Sequence, residues 1–149
     1  MKIYIGYDHN GTNLAFKIME YLVEKGYEVN EPFESEAGDD YPDIAKAITS
    51  AVKEDKGSRG ILICGTGIGI AMSANRIRGI RAVLAQTDAD AYFSRRHEDS
   101  NVLVLAGGYT DKIKAVKPSK KYEEIIDAFL TTDFEGGRHE RRVAKLENL

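Results

Sequence analysis

The chain has 149 residues, a length typical of one domain, and we expect a single domain over residues 1–149. Its composition, 42% hydrophobic and 30% charged, is that of an ordinary globular protein, and no apolar run approaches the roughly 20 residues that a membrane span needs. The net charge of −3 argues against nucleic acid as the main partner, because a phosphate backbone generally requires a basic surface.

Hydrophobic periodicity predicts an alternation of strands and helices along the whole chain. The predicted strands are residues 2–7, 27–29, 60–64, 80–85 and 101–106. The predicted helices cover residues 14–23, 44–52, 70–76, 88–96 and 122–130, and a polar C-terminal segment follows over residues 138–149.

Several residues mark the ends of these elements. Gly26 is placed to end the first helix, Pro42 fits the first turn of the second, and Thr87 is a candidate cap for the fourth. In the C-terminal segment Val143 and Leu146 are the expected apolar anchors. Repeated strand–helix alternation predicts right-handed βαβ units. The predicted fold is therefore a three-layer αβα sandwich, an α/β architecture with a Rossmann-like five-stranded parallel sheet, helices on both faces and a C-terminal helical tail.

Ligands of such sheets bind beyond the carboxyl ends of the strands, which directs attention to the glycine-rich loop at residues 63–69, ICGTGIG. Its glycines allow successive N–H groups to face one concavity, where they would stabilise an anion or a developing oxyanion. The spacing matches neither the dinucleotide fingerprint nor the Walker pattern. An ordinary glycine-rich turn explains these residues equally well.

Cys64 lies at the end of the third predicted strand, directly before those amides. A helix N-terminus favours the thiolate form of a cysteine, which can act as a general base or a nucleophile. The alternative is a small buried hydrophobic side chain. Because Cys64 is the only cysteine and the N-terminus lacks the layout of a signal peptide, we expect no disulfide and a cytoplasmic location.

Two histidines and two arginines are further candidates. His9, beside Asp8, and His97 are assigned to the predicted ligand-binding edge, where a histidine can move protons or hold phosphate. Arg138 and Arg142 are four residues apart and share one helical face, so they can grip a phosphate or form a solvated basic surface. No clustered Cys/His spacing occurs, so we expect no metal.

Taken together, these motifs resemble the ribose-5-phosphate isomerase type B family and its galactose-6-phosphate isomerase relatives. The matching segments are residues 8–9, 40–43, 60–69, 73–76, 79–82, 96–97, 101–103 and 134–139. They occur in the family's order and span nearly the whole chain. The most specific of them are ICGTGIG and GGRHxxRV.

The resemblance implies a metal-free and cofactor-free aldose–ketose isomerisation of a sugar phosphate through a cis-enediolate. It implies that Cys64 is the general base, that Thr66 relays a proton between oxygens and that His97 assists opening of the sugar ring. The implied binding residues are Asp8, Tyr41 and Asn101 for sugar hydroxyls, the amides of Gly65, Gly67, Ile68 and Gly69 for the enediolate, and His9, Arg138 and Arg142 for phosphate. It also implies a homodimer or a dimer of dimers with the site at the subunit interface.

One position departs from the family pattern. The family usually carries an arginine for the phosphate soon after the fifth strand, where this chain has Gly108 in a longer, lysine-rich connection. We hypothesise that one of these lysines, such as Lys112 or Lys114, supplies the missing charge, and a solvated lysine surface explains them equally well. The leading substrate is ribose 5-phosphate with ribulose 5-phosphate as product. A six-carbon sugar phosphate (allose or galactose 6-phosphate) and a non-catalytic sugar-phosphate-binding module are the alternatives.

Overall fold

A computed structural model describes residues 1–31, 33, 40–110 and 115–149 of the chain. The strands are β1 (Lys2–Tyr7), β2 (Glu28–Val29), β3 (Arg59–Cys64), β4 (Ala82–Leu84), β5 (Val102–Ala106), β6 (Tyr109–Thr110) and β7 (Ala115–Val116). The helices are α1 (Thr12–Glu24), α2 (Tyr41–Glu54), α3 (Ile68–Asn75), α4 (Asp88–Glu98), α5 (Tyr122–Thr131) and α6 (Arg138–Leu146). None of these helices is both long enough and apolar enough to cross a membrane.

Strands β1 to β5 form one parallel sheet in the order β2-β1-β3-β5-β4, and β6 and β7 form a separate antiparallel hairpin. Alternate residues of the central strands enter two different cores. Ile61 and Ile63 of β3 pack with α1, α4 and α5, whereas Leu62 and Cys64 pack with α2 and α3. The predicted α/β fold, with a five-stranded parallel sheet covered on both faces, is therefore confirmed.

Local signals placed several helix ends correctly. Gly26 follows α1 with φ +86°, a conformation that favours glycine. Asp40 caps α2 in a reciprocal capping box with Asp43, and Pro42 lies in the first turn. Thr87 accepts a hydrogen bond from the Asp90 amide at the start of α4. Each of these ends depends on residues within a few positions of it.

Other boundaries differ from the prediction. Helix α3 begins at Ile68 rather than at residue 70, because Gly67 turns the chain in the left-handed conformation, φ +78°, and the helix starts at once. Strand β4 is limited to Ala82–Leu84, and before it the Arg81 amide donates to the Asn101 side chain. The hairpin of β6 and β7 was not predicted.

The predicted anchors of the C-terminal segment are also partly wrong. Leu146 is 45% exposed, and Val143 is only half-buried. The one buried residue of α6 is a polar one, His139. The helix is attached at its other end by Glu147, which accepts hydrogen bonds from Arg81 Nη1 and the Gly79 amide.

The sheet reverses its direction of growth between β1 and β3, because β2 lies on one side of β1 and β3 lies on the other. The loops that follow these two strands therefore border the crevice in which open α/β sheets bind ligands. The loop after β5 completes this edge through Gly107, whose amide donates to the Cys64 carbonyl at 2.8 Å. A Cβ atom on Gly107 would lie 2.7 Å from the Gly11 Cα atom and would also clash with the Asn10 carbonyl.

We predict that Gly107→Ala lowers the free energy of unfolding by about 1–3 kcal/mol, because the atoms that it meets are backbone atoms that cannot turn aside. Gly69→Ala is the matched control. Its Cβ would meet the half-exposed Tyr41 ring, which can rotate, so we expect a change below about 1 kcal/mol. Urea unfolding of both variants measures the difference, and equal destabilisation would contradict this packing argument.

Candidate active site

A cavity of about 650 Å³ lies at the carboxyl edge of the sheet, at the reversal between β1 and β3. Eight residues that the sequence singled out line it: Asp8, His9, Tyr41, Cys64, Gly65, Thr66, Ile68 and Gly69. Asn10, Asp40, Met72 and Tyr109 also line it and were not predicted as site residues. Asn10 directly follows His9, and Asp40 belongs to the matching segment 40–43, so their positions carried a usable signal. Met72 and Tyr109 carried none.

Cys64 is the last residue of β3, and its side chain belongs to the core that β3 shares with α2 and α3. Only 4% of the residue is exposed, yet it lines the cavity. The residue therefore reaches the cavity wall and is otherwise surrounded by protein.

The loop after Cys64 turns directly into α3. Thr66 Oγ1 accepts a hydrogen bond from the Ile68 amide at 3.1 Å, and the Gly65 carbonyl accepts one from Gly108 at 3.1 Å. The first-turn amides of a helix have no partners within it, and Ile68 and Gly69 of this turn line the cavity. The positive end of the α3 dipole thus faces the same space as Cys64.

Gly67 belongs to this loop but does not line the cavity. It takes the left-handed conformation, and a Cβ atom on it would lie 2.6 Å from Leu84 Cδ1. Its role in the structure is to let the backbone turn tightly against β4 and β5.

Asp8 and His9 follow β1 on the other side of the crevice. The Asp8 amide donates to the Ile63 carbonyl at 3.1 Å, and Asp8 Oδ1 accepts from the Asn10 amide at 2.9 Å. Asp8 therefore closes a turn and also lines the cavity. His9 is exposed, and its Nε2 lies 3.3 Å from Asn10 Nδ2.

His97 and Asn101 do not lie at this edge, and the assignment of His97 to it is wrong. Helix α4 starts after the carboxyl end of β4 and runs back along the sheet, so His97 near its end lies where β5 begins. Asn101 directly precedes β5, while Ala106 at the far end of β5 pairs with Cys64. The five residues of β5 span roughly 16 Å, beyond the reach of any side chain.

Asn101 also has other partners. Its Oδ1 accepts from the Arg81 amide at 2.9 Å, and its Nδ2 donates to the Gly79 carbonyl at 2.8 Å. Both polar groups of this side chain fix the turn before β4. Binding of a sugar hydroxyl by Asn101 would compete with these two hydrogen bonds, and it stays a prediction.

His97 is the centre of a second cluster at the amino edge. Its ring stacks on the His139 ring, with centroids 4.3 Å apart and planes 12° apart, and it contacts Phe93 at 5.2 Å. Glu135 reaches the cluster as well, with Oε2 3.0 Å from His139 Nε2 and Oε1 3.2 Å from Arg96 Nη2. Desolvation acts to raise the pKa of Glu135, but the charges of Arg96, Arg138 and His139 outweigh it and lower the pKa below its usual value.

Arg138 and Arg142 belong to this second group, not to the cavity. Both lie on α6, both are exposed, and Arg138 is adjacent to His139. Within one chain the predicted residues thus form two sets. Cys64 and its loop lie at the carboxyl edge, and His97 with the two arginines lies at the amino edge.

His97, Glu135 and His139 could be considered for a metal, because their candidate ligand atoms lie within 4.8 Å of one another. A metal bound by imidazole lies in the plane of the ring. Two rings that are stacked 12° from parallel cannot both place one ion in their planes, so a shared ion would require one ring to turn. The arrangement as it stands does not fit a metal centre.

Comparison with known proteins agrees with this architecture. Residues 3–146 match the family described as Ribose/Galactose Isomerase. Ribose-5-phosphate isomerase B of Escherichia coli is 41% identical over 95% of this chain and 91% of its own length, and the probable ribose-5-phosphate isomerase B of Mycoplasma genitalium is 39% identical over 97% and 92%.

Solved structures give the same result. The ribose 5-phosphate isomerase of Thermotoga maritima has a TM-score of 0.85 at 39% identity, covering 99% of this chain and 98% of that one. The Mycoplasma genitalium enzyme, solved with bound ribulose-5-phosphate, has a TM-score of 0.84 at 38% identity and covers 99% and 94%. The sequence matches and the structural matches both extend over almost the full length of the chain. The chain therefore belongs to the ribose/galactose isomerase family.

Proposed function

We propose that this protein interconverts ribose 5-phosphate and ribulose 5-phosphate, with Cys64 as the general base. The observation that carries the proposal is the position of Cys64, the only thiol of the chain, which is buried but lines a sugar-sized cavity beside the first turn of α3. Because the chain belongs to the isomerase family, we assign the chemistry of an aldose–ketose isomerisation to this arrangement. The ribulose-5-phosphate bound to a 38% identical relative supports the choice of substrate.

The reaction needs no external oxidant, because it only moves hydrogen within the sugar. The Cys64 thiolate removes the proton from C2 of the open-chain aldose, and the electron pair moves through C1 to O1 to give a cis-enediolate. Thr66, which lines the cavity, relays the O2 proton to O1. The Cys64 thiol then returns its proton to C1, leaving the ketose and regenerating the thiolate.

Negative charge develops on the sugar oxygens only on the way to the intermediate. Amides that face this charge therefore lower the barrier selectively, without tightening the binding of the neutral carbonyl to the same extent. The residues that we propose for this task are Gly65 and Gly69, which line the cavity. The Ile68 amide holds Thr66 Oγ1, and Gly67, expected from the sequence to contribute an amide, shapes the turn instead. Asp8 and Tyr41, which line the same cavity, are placed to bind sugar hydroxyls.

We infer that two copies of the chain share each site, in a homodimer or a dimer of dimers. His97, Arg138 and Arg142 cannot reach the Cys64 cavity of their own chain, but a second copy can bring them over it. Exposed apolar side chains, which a second copy could cover, lie beside both the Cys64 cavity and the His97 cluster. Ile68 and Met72, 55% and 68% exposed, lie at the cavity, and Phe93, 52% exposed, contacts His97.

In the shared site His97 would assist opening of the sugar ring, and Arg138, Arg142 and His9 would bind the phosphate. The family arginine that Gly108 replaces is not required if these groups supply the charge. Lys112 and Lys114, proposed from the sequence as its replacement, lie outside the described residues. A reducing compartment such as the cytoplasm suits a catalytic thiol, which must stay unoxidised.

We predict that Cys64→Ala reduces isomerisation of ribose 5-phosphate by roughly 10²–10⁴-fold, the usual contribution of a general base, and abolishes exchange of solvent deuterium into ribulose 5-phosphate. Substrate affinity should change little. Met72→Leu, which keeps an apolar side chain at the cavity wall, is the control with near-normal turnover. NMR follows both reactions in one sample, and unchanged turnover in Cys64→Ala would remove this residue from the mechanism.

The same assay separates the alternative substrates. We expect the highest kcat/KM with ribose 5-phosphate, and a higher value with allose or galactose 6-phosphate would assign the protein to six-carbon sugars. Absence of turnover with all three would favour a sugar-phosphate-binding module.

We predict that Cys64→Ala and His97→Asn chains, each inactive alone, regain about one quarter of wild-type activity after they are mixed in equal amounts and allowed to exchange subunits. Half of the random dimers are mixed, and each mixed dimer has one intact site out of two. Cys64→Ala mixed with Asp8→Asn is the control. Both changes lie on the same half of the site, so no recovery is expected. Failure of the first pair to recover, with subunit exchange demonstrated, would exclude a shared site.

A further inference from the structure

We propose that His139 and Glu135 are positioning residues that fix the His97 ring in the orientation needed for proton transfer. The proposal rests on the proposed role of His97 in opening the sugar ring. Neither residue has a task in the mechanism above. Three observations carry the proposal: the burial of His139, the stacked rings and the shape of the turn between Glu135 and α6.

His139 is 3% exposed and is the one buried residue of a helix whose other residues lie largely at the surface. Its Nε2 atom has no hydrogen-bond partner among the described residues, although Glu135 Oε2 lies 3.0 Å away, because the angle between the groups is unfavourable. An apolar side chain would fill this space without burying a polar atom. What a histidine adds here over an apolar side chain is the contact with Glu135 and the stacking on His97.

The ring of His139 is the surface against which His97 lies. The two imidazoles are stacked with a 4.3 Å centroid distance, and Phe93, one turn earlier on α4, contacts the His97 ring from its own helix. A half-buried side chain near a helix end would otherwise sample several rotamers. Contacts from two elements restrict His97 to one orientation before the sugar arrives.

Glu135 in turn contacts His139, with Oε2 3.0 Å from Nε2. Its amide donates to the Arg96 carbonyl at 3.0 Å, which ties the segment before α6 to the residue before His97. Gly136 and Gly137 then turn the chain with φ +71° and +57°, and Gly137 has ψ −129°, a combination that only glycine adopts readily. This turn folds the Glu135 carboxylate back over the first turn of α6. The sequence EGGRH thus builds one unit that connects the end of α4 to α6.

Orientation matters because proton transfer between an imidazole and a sugar-ring oxygen requires a short, aligned hydrogen bond. A displacement of about 1 Å at a reacting group can reduce a rate by about 100-fold. The Cys64 step has no such dependence on His97, since it acts on the open chain. Loss of positioning should therefore affect the two steps unequally.

The test compares the two sugars. Ribose 5-phosphate closes a ring that must open before the Cys64 step, whereas ribulose 5-phosphate cannot close a ring through its phosphorylated O5 and reaches Cys64 in open form. In His139→Ala we expect conversion of ribose 5-phosphate to fall by about 10- to 100-fold, while exchange of solvent deuterium at C1 of ribulose 5-phosphate stays within about twofold of wild type. Glu135→Gln, at an exposed position, should lower the ratio of conversion to exchange as well, by a smaller factor. Lys145→Ala, on the exposed face of α6, is the matched control with an unchanged ratio.

His139→Phe keeps a ring for stacking and should recover part of the lost conversion. An equal fall of exchange and conversion in His139→Ala and Glu135→Gln, or no change in either, would overturn the proposal. Absence of deuterium exchange in the wild-type protein would instead refute the proposed role of Cys64, so the two failures are distinguishable. Thermal melting of each variant confirms that a folded protein is being compared.

Discussion

The direction of the chain in a parallel α/β sheet is the constraint on which the site depends. Each strand ends at the carboxyl edge, and each helix that follows a strand returns to the amino edge. Residues at the start of a helix therefore join the Cys64 cavity, as Ile68 and Tyr41 do, whereas residues at the end of one lie on the other side of the molecule, as His97 does. A single copy of this topology separates the thiol from the histidine and the arginines by the full length of a strand.

This separation explains which parts of the site could be predicted from the sequence. The loops after β1 and β3 contain short-range signals, namely an apolar strand followed by Asp8-His9 or by alternating glycines, and the rule for ligand binding at strand ends places both correctly. His97 was expected in a loop or at a helix end but was assigned to the wrong edge, because the return of a helix to the amino edge was not taken into account. The intrachain role of Asn101 was missed for a different reason. Its partners, Arg81 and Gly79, are about twenty residues away in the chain, and no local pattern indicates them.

The fold shows the same division between local and distant information. The cap at Thr87 and the turn at Gly26 are determined by neighbouring residues, and the sequence predicts both. The anchors of α6 are not, because the apolar residues expected to hold it, Val143 and Leu146, are partly or largely exposed. Contacts with residues far away in the chain hold it instead. Periodicity finds helices that bury an apolar face, and it gives no information on a helix attached by polar groups.

The polar attachment of α6 has a consequence for the phosphate. A nine-residue helix is marginal in isolation, so its position depends on what holds its two ends. At one end His139 is buried against His97, and at the other Glu147 accepts hydrogen bonds from Arg81 and Gly79, while Arg78 Nε donates to the Glu147 carbonyl at 3.1 Å. Arg138 and Arg142 thus lie on a helix whose two ends are both attached to the amino edge of the sheet. The same contacts that set the His97 ring also set the two arginines, so the group proposed to open the sugar and the groups proposed to hold its phosphate would approach a neighbouring cavity as one unit.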